Sequence, residues 1–251
     1  MEWHEYEVMF RLEEDYWWYL GLRDIVFRYL NPFIGGNTSA MVLDAGSGTG
    51  KMLEMCKGCR AYGLEFSEHA FPFLKMRGLG NLVRSSVCRI PFRDQAFHCV
   101  VSLDVLYHAG VENDAEALGE IHRVLKSDGL LILNLPAFEF LRSEHDLAVH
   151  THRRYQTGEL RRKLESAGFS VQMISYRNTI LFPIAALVRL MKRANPRKGP
   201  AHGIKSDLNR LPSWMNKALY HILILENALL RRGLTFPFGL SVFCIARARI
   251  L

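Results

Sequence analysis

Two groups of residues in this 251-residue chain have the types and spacing to do chemistry. The first is a glycine-rich run, Asp44-Ala45-Gly46-Ser47-Gly48-Thr49-Gly50-Lys51-Met52. Glycines let such a run pass close to a ligand in conformations closed to other residues. A phosphate loop would need a serine or threonine hydroxyl after the lysine to hold Mg2+, and Met52 cannot ligate a hard cation. It would also need a glycine where Ala45 stands. The dinucleotide fingerprint fits little better: Gly46, Gly48 and Gly50 give G-x-G-x-G, one residue short of G-x-G-x-x-G. The run therefore suits a ligand that needs close backbone approach without an anion cradle. Glu65, 21 residues after Asp44, can accept hydrogen bonds from both hydroxyls of a ribose.

The second group is Tyr107, His108 and the crowded stretch His145-Asp146 to His150-Thr151-His152-Arg153-Arg154-Tyr155. Histidine titrates near neutral pH and can take a proton from an acceptor. His145, His150, His152 and Tyr107 are thus the expected catalytic groups, the alternative being surface or helix-capping histidines. Arginine's planar fork suits a carboxylate or phosphate. Arg153, Arg154 and Tyr155, with His108, are expected on the acceptor, although the same residues could open a solvated helix. The histidine spacing matches no tetrahedral site, so no metal is expected. Trp17 and Trp18 point about 100° apart on a helix, so both cannot face one core stripe. Trp18 is expected at the pocket.

These groups need elements to hold them. Residues 5–30 read as helical and stop at Asn31-Pro32. Strand-length apolar runs follow at Ala40–Leu43, Arg60–Leu64, Leu82–Val87, Phe97–Leu103 and Leu130–Leu135. Helical segments alternate with them, including Ala115–Leu125, which closes at Ser127-Asp128-Gly129. This order predicts a doubly wound α/β sheet with ligands beyond the strand ends. Gly158–Ala167 reads as a helix and Phe169–Tyr176 as a strand. A basic helical stretch, Asn178–Arg232, precedes a last strand at Leu240–Ala248. The expected layout is one domain: an N-terminal helical lid (1–35), a ligand-binding core (36–177), a helical insertion or cap (178–235) and a final strand (236–251).

The glycine loop, Glu65 and strand order together resemble the class I S-adenosylmethionine (SAM)-dependent methyltransferases. Arg89–His108 is similar to their segment leading into the fourth strand, and Glu120–Ala137 to their fifth-strand unit. His152–Phe169 and Pro237–Ala248 resemble one subgroup, whose members share a YWW segment like Tyr16-Trp17-Trp18. The resemblance implies a Rossmann-like, seven-stranded sheet with SAM as cofactor. Asp44, Ala45, Gly46, Ser47, Gly48 and Gly50 would hold the amino-acid portion, and Glu65 the ribose. Phe66, Ser86 and Val87 would meet the adenine, with Ser86 standing where the family often has an acid. Leu103-Asp104 would end the fourth strand, where methyl group meets acceptor. Transfer from a sulfonium needs alignment and exclusion of water, with a base only for a protonated acceptor.

Charge is uneven. Residues 1–150 hold 14 Lys and Arg against 21 Asp and Glu, whereas residues 151–251 hold 18 against 4. A basic second part suggests an anionic partner. Its basic residues flank aliphatic runs, Ile180–Arg193 and Ala218–Arg232, rather than aromatic stacking platforms, which disfavours nucleic acid. The expected acceptor is a small or lipid- or sugar-linked molecule, methylated at O or N. The runner-up is a weakly catalytic module that binds an anionic membrane or protein. Three of the five cysteines lie in strand or core-facing runs and read as small buried hydrophobes, and Cys56-Lys57-Gly58-Cys59, with no second Cys or His pair at ligand distance, reads as neither a metal nor a redox site. With no basic-then-apolar leader and no apolar run of spanning length, the expected location is cytoplasmic, with peripheral membrane contact open.

Overall fold

The computed structural model describes residues 2–194 and 210–249. Seven strands form one mixed sheet: β1 (Met41–Ala45), β2 (Arg60–Glu65), β3 (Leu82–Arg84), β4 (Phe97–Leu103), β5 (Leu125–Pro136), β6 (Phe169–Arg177) and β7 (Ser241–Ala248). Their order is β3-β2-β1-β4-β5-β7-β6. The first five pair in parallel, and β7 runs antiparallel between β5 and β6. β1 and β4 are neighbours, and the chain leaves them in opposite directions across the sheet. Such a switch point opens a crevice beyond the strand ends.

Alternation along the strands feeds two apolar layers. Leu43, Val100, Leu131 and Leu133 face one side with Leu118 and Ile121 of α5 (Asp114–Val124) and Leu160 and Leu164 of α7 (Thr157–Ser166). Val42, Cys99, Val101 and Ile132 face the other, against Leu22, Ile25, Val26 and Leu30 of α2 (Trp17–Ile34). Leu230 of α9 (Ser213–Arg231) joins that second layer. The inner strands β1, β4, β5 and β7 bury both faces over most of their length, which explains why those runs read as nearly continuous apolar sequence.

Several expected boundaries shift. The N-terminal helical stretch is two helices, α1 (Trp3–Leu12) and α2, broken at Glu13–Tyr16. The second continues through Pro32 to Ile34, where the proline sits exposed near the helix end. β3 stops at Arg84 instead of Val87 because it is the sheet edge, and Ser85–Val87 turn out toward the crevice. β5 starts immediately after α5, so the expected Ser127-Asp128-Gly129 loop lies within strand. The basic stretch contributes α8 (Phe182–Ala194) and α9 in the connection between β6 and β7. Short helices α3 (Lys51–Met55), α4 (Phe71–Met76) and α6 (Glu144–Ala148) complete the described elements.

Candidate functional site

The glycine run forms the turn between β1 and α3. Gly46 has φ +104, and a Cβ there would lie 2.1 Å from Cγ2 of Val105. No other residue fits. The backbone N–H groups of Gly46 and Ser47 donate to the Leu64 carbonyl at 2.8 and 3.0 Å, pinning the loop to the end of β2. Gly48 N–H donates to Glu65 Oε2 at 2.8 Å, and Ser67 N–H to its Oε1 at 2.9 Å. Glu65 is therefore a fixed carboxylate facing the loop.

A cavity of about 510 Å3 opens over this turn and runs along the carboxyl ends of the strands. Asp44, Gly46, Ser47, Gly48, Glu65, Phe66, Ser86, Val87 and Leu103 line one part of it. Ala45 and Gly50 do not. Ala45 is fully buried, with its carbonyl accepting from the Ser102 hydroxyl at 2.9 Å. Gly50 caps α3 in the left-handed region, packed against Leu74 and Leu79. Their contribution is to the shape of the turn. Lys51, which opens α3, also lines the cavity and pairs with Glu14 and Glu54.

This part of the cavity is acidic. Burial pushes the Asp44 carboxyl up to about 7, and the charges of Glu65 and Glu13 add to it. Burial also raises Glu65, opposed by the N–H groups of Ser67 and Gly48. Glu13 is raised by burial too, although Thr49 and Arg77 hydrogen-bond to it. Among the described residues nothing hydrogen-bonds to the Asp44 side chain. Glu13 is paired with Arg77 at 2.8 Å, but Asp44 and Glu65 have no counter-charge among the described residues, and buried carboxylates in that state are costly, so the surface at the loop is complementary to a cation. SAM carries two positive groups, a sulfonium and an ammonium, and lacks the phosphates that such a surface would repel. The residues fit it.

The cavity continues past β4 under Asp104, Tyr107, Pro136, Asp146, Arg154, Asn178, Arg189 and Ser241. Asp104 has φ +56, a strained setting for this residue. The Asn134 amide donates to both its carboxylate oxygens at 3.0 and 3.1 Å. Burial pushes its pKa up to about 7, against the pull of Asn134, Arg177 and Arg154. Asn178 is 1% exposed, lines the cavity, and has no partner for either amide atom. The indole N–H of Trp17 is likewise buried, unpaired and at the cavity. Such groups cost about 1–3 kcal/mol each unless something fills them.

The second group of sequence candidates is dispersed. Tyr107, His108, Arg154 and Trp18 line the cavity. Burial holds His108 down at about 4, so its ring is neutral at physiological pH. Arg154 is no open clamp: its guanidinium meets both oxygens of Asp146 at 2.9 Å and donates to the Ala137 carbonyl at 2.9 Å. Arg153 lies outside the cavity, bound to Asp114 and Glu159 and stacked over Tyr155. Tyr155 is fully buried, its hydroxyl 2.9 Å from Asp114 and 3.1 Å from the Leu106 carbonyl. His150 and His152 are exposed and do not line the cavity; His150 meets Glu2 at 2.9 Å and stacks on the ring of His108. The side chain of His145 lies outside the described residues.

Sequence reasoning missed the acidic and aromatic contribution of the N-terminal helices. Tyr6, Met9, Glu13, Tyr16, Trp17 and Tyr19 all line the cavity. The signal was Glu13 on an otherwise apolar helical face. It turns inward where the helix breaks, and accepts from the Thr49 hydroxyl at 2.5 Å.

Residues 43–133 match the family model described as a methyltransferase domain. A tRNA (carboxymethyluridine(34)-5-O)-methyltransferase of Arabidopsis thaliana is 30% identical over 103 residues, covering 41% of this chain and 25% of that protein. The chain thus spans about a quarter of the length of the first curated relatives it matches. In structure it is similar to the methyltransferase bound to the Trm112 activator of Haloferax volcanii, with TM-score 0.60 and 17% identity over 98% of this chain and 95% of that one. Haemonchus contortus phosphoethanolamine N-methyltransferase 2, solved with S-adenosyl-L-methionine, gives TM-score 0.57 and 14% identity over 91% of this chain and 53% of its own.

Proposed function

We propose, from a chain whose core is a class I SAM-dependent methyltransferase domain, that it moves the methyl group of SAM to an acceptor held beyond β4. The observation that carries this reading is the pair of buried carboxylates at the glycine loop, Asp44 and Glu65, neither of which has an ion-pair partner among the described residues. In it the loop from Asp44 to Gly50 takes the amino-acid end, Glu65 the ribose, and Phe66, Ser86 and Val87 the adenine. SAM supplies an already activated methyl carbon, so the protein's work is to align, to dry the site and to manage a proton.

Asp104 is the group placed to manage it. A carboxylate titrating near 7 can hold the proton of an acceptor hydroxyl better than an ordinary one. The Asn134 amide fixes its orientation. Asn178 offers one donor and one acceptor, and Trp17 one donor, to a neutral polar acceptor. Tyr107 and His108 stand nearby, with His108 neutral. His150 and His152 do not line the cavity, although the ring of His150 stacks on that of His108 with centroids 5.6 Å apart.

The favoured acceptor is small or lipid-linked, with transfer to O or N. A nucleic-acid acceptor is the second reading, favoured by the activity named for the Arabidopsis relative. Calorimetry with S-adenosylhomocysteine tests the donor assignment. The intact chain should bind, and Glu65→Ala should weaken binding roughly tenfold or more, as expected for lost hydrogen bonds to a charged group. No binding by the intact chain would sink it. Radiolabelled methyl transfer to separated lipid, small-molecule and tRNA fractions then decides between acceptors.

A further inference from the structure

Helix α8 carries an apolar stripe that faces no other described element. Ile184 is 67% exposed, Leu187 59%, Val188 46% and Met191 63%. Their spacing of i, i+3, i+4 and i+7 puts them on one side of the helix. The opposite side is engaged: Phe182 meets the rings of Phe138, Phe140 and Phe238, and Arg189 donates to the Leu141 carbonyl at 2.8 Å. Phe140 and Phe238, each at least 40% exposed, extend the apolar surface past the start of the helix. The stripe is therefore a surface built outward from a docked helix.

Charge says what covers it. Across 178–194 and 210–249 there are nine Lys and Arg and one acidic residue, Glu226. Glu226 is fully buried, accepting from the backbone N–H groups of Asn178 and Thr179. No described carboxylate from these segments reaches the surface, while Arg210, Lys217, Arg231, Arg232 and Arg249 are exposed. Lys192 and Arg193 follow Met191 on α8 itself. Exposed Glu139, beside Phe140, is already paired with Arg142 at 2.8 Å. An exposed apolar stripe on a helix with basic residues, in segments whose one acid is buried, is the pattern of an element lying in an anionic lipid interface.

We propose that α8 docks this protein on an anionic bilayer, with Ile184, Leu187, Val188 and Met191 entering the headgroup boundary. No described helix is long and apolar enough to cross a membrane, so the contact is peripheral. Arg189 and Asn178 place the inner side of the same helix and its lead-in at the acceptor part of the cavity. The docked orientation sets that opening beside the lipid surface, where a lipid-linked acceptor would enter. Docking itself does not depend on methyl transfer; only this consequence rests on the function proposed above.

Flotation of the full chain with vesicles tests it. The chain should float with phosphatidylglycerol–phosphatidylcholine vesicles, far less with pure phosphatidylcholine, and less as salt is raised. Leu187→Glu, and separately Met191→Glu, should reduce flotation roughly tenfold while S-adenosylhomocysteine affinity and circular dichroism stay unchanged. Failure to float with anionic vesicles, or undiminished flotation of both variants, overturns the proposal. So does concentration-dependent dimerisation by sedimentation that Leu187→Glu abolishes without any flotation, which would make the stripe a contact between copies. Lost S-adenosylhomocysteine binding with retained flotation would count against the donor assignment and leave docking standing.

Discussion

Asp44 and Asp104 both stand at about 7 because burial disfavours their ionised forms. The two should respond differently to replacement. A carboxyl raised above its unfolded value binds protons more tightly in the folded state, so stability falls as pH rises from the unfolded value through the folded one. Asp44→Asn removes that burden. The ligand-free variant should melt several degrees higher than the parent at pH 8 and show little gain near pH 4, while S-adenosylhomocysteine affinity drops at least about tenfold. Differential scanning calorimetry and titration calorimetry read the two effects. For Asp104 the expected signature is kinetic. Transfer should lose rate as pH falls below about 7, where the base becomes protonated. The charges of Arg177 and Arg154 pull that titration down, and Asp104 in turn adds to the rise that burial gives the hydroxyls of Tyr107 and Tyr19. Asp104→Asn should cost about 10²–10⁴-fold in kcat and flatten that limb, with S-adenosylhomocysteine binding kept. An unchanged pH–rate profile in the variant would remove Asp104 from the role of base.

At the scale of elements, the strands were the most legible part of the sequence. Phe97–Leu103 holds at both ends, as a central strand buried along most of its length and largely apolar apart from His98 and Ser102. Edge and junction residues were harder: β3 ends early for want of a second neighbour, and β5 begins without a turn after α5. The candidate site was legible where backbone shape is demanded, at Gly46 and Gly48, and where a carboxylate ends a strand, at Glu65. It was illegible from His145 to Tyr155, because an ionisable residue's type does not say which way it points. Arg154 with Asp146 and Tyr155 with Asp114 turned out to be buried ties from this loop to α6 and α5. Breaking one should be severe. Asp146→Ala leaves the guanidinium of Arg154, 4% exposed, without its counter-charge, a loss of about 3–5 kcal/mol by chemical denaturation. Gly21 in α2 supplies a second test. A Cβ there would lie 2.5 Å from Cδ1 of Leu223 in α9. Gly21→Ala should destabilise by about 1–3 kcal/mol through overpacking, although alanine is the better helix former. If it stabilises instead, α2 and α9 are not packed as described.

For the whole molecule, the binding cavity belongs to both the sheet and the N-terminal helices. α1 rests on the rest of the protein through Tyr6 against Ala70, Phe73 and Leu74, and Arg77 links Glu13 and Glu14 to Glu54. A ligand touching both halves should therefore tighten the less firmly packed one. S-adenosylhomocysteine at about 100 times its Kd should add about 2.7 kcal/mol of stability. Hydrogen exchange should show the new protection concentrated in 3–23, with β4 and β5 little changed. Protection confined to the glycine loop would mean that the N-terminal helices only border the site.

The position of β7 has a consequence for how the chain is made. Among the described strands β6 pairs with β7 alone, and β5 has β7 as its only outer neighbour. A ribosome emits β6 long before Ser241–Ala248 leaves the exit tunnel. Until then the nascent chain carries one apolar strand with nothing to pair with and another with an open edge, both targets for wrong association. Completion of the sheet on this side therefore waits until β7 has emerged. A transcript truncated before Ser241 would yield an aggregating polypeptide and not a shorter enzyme.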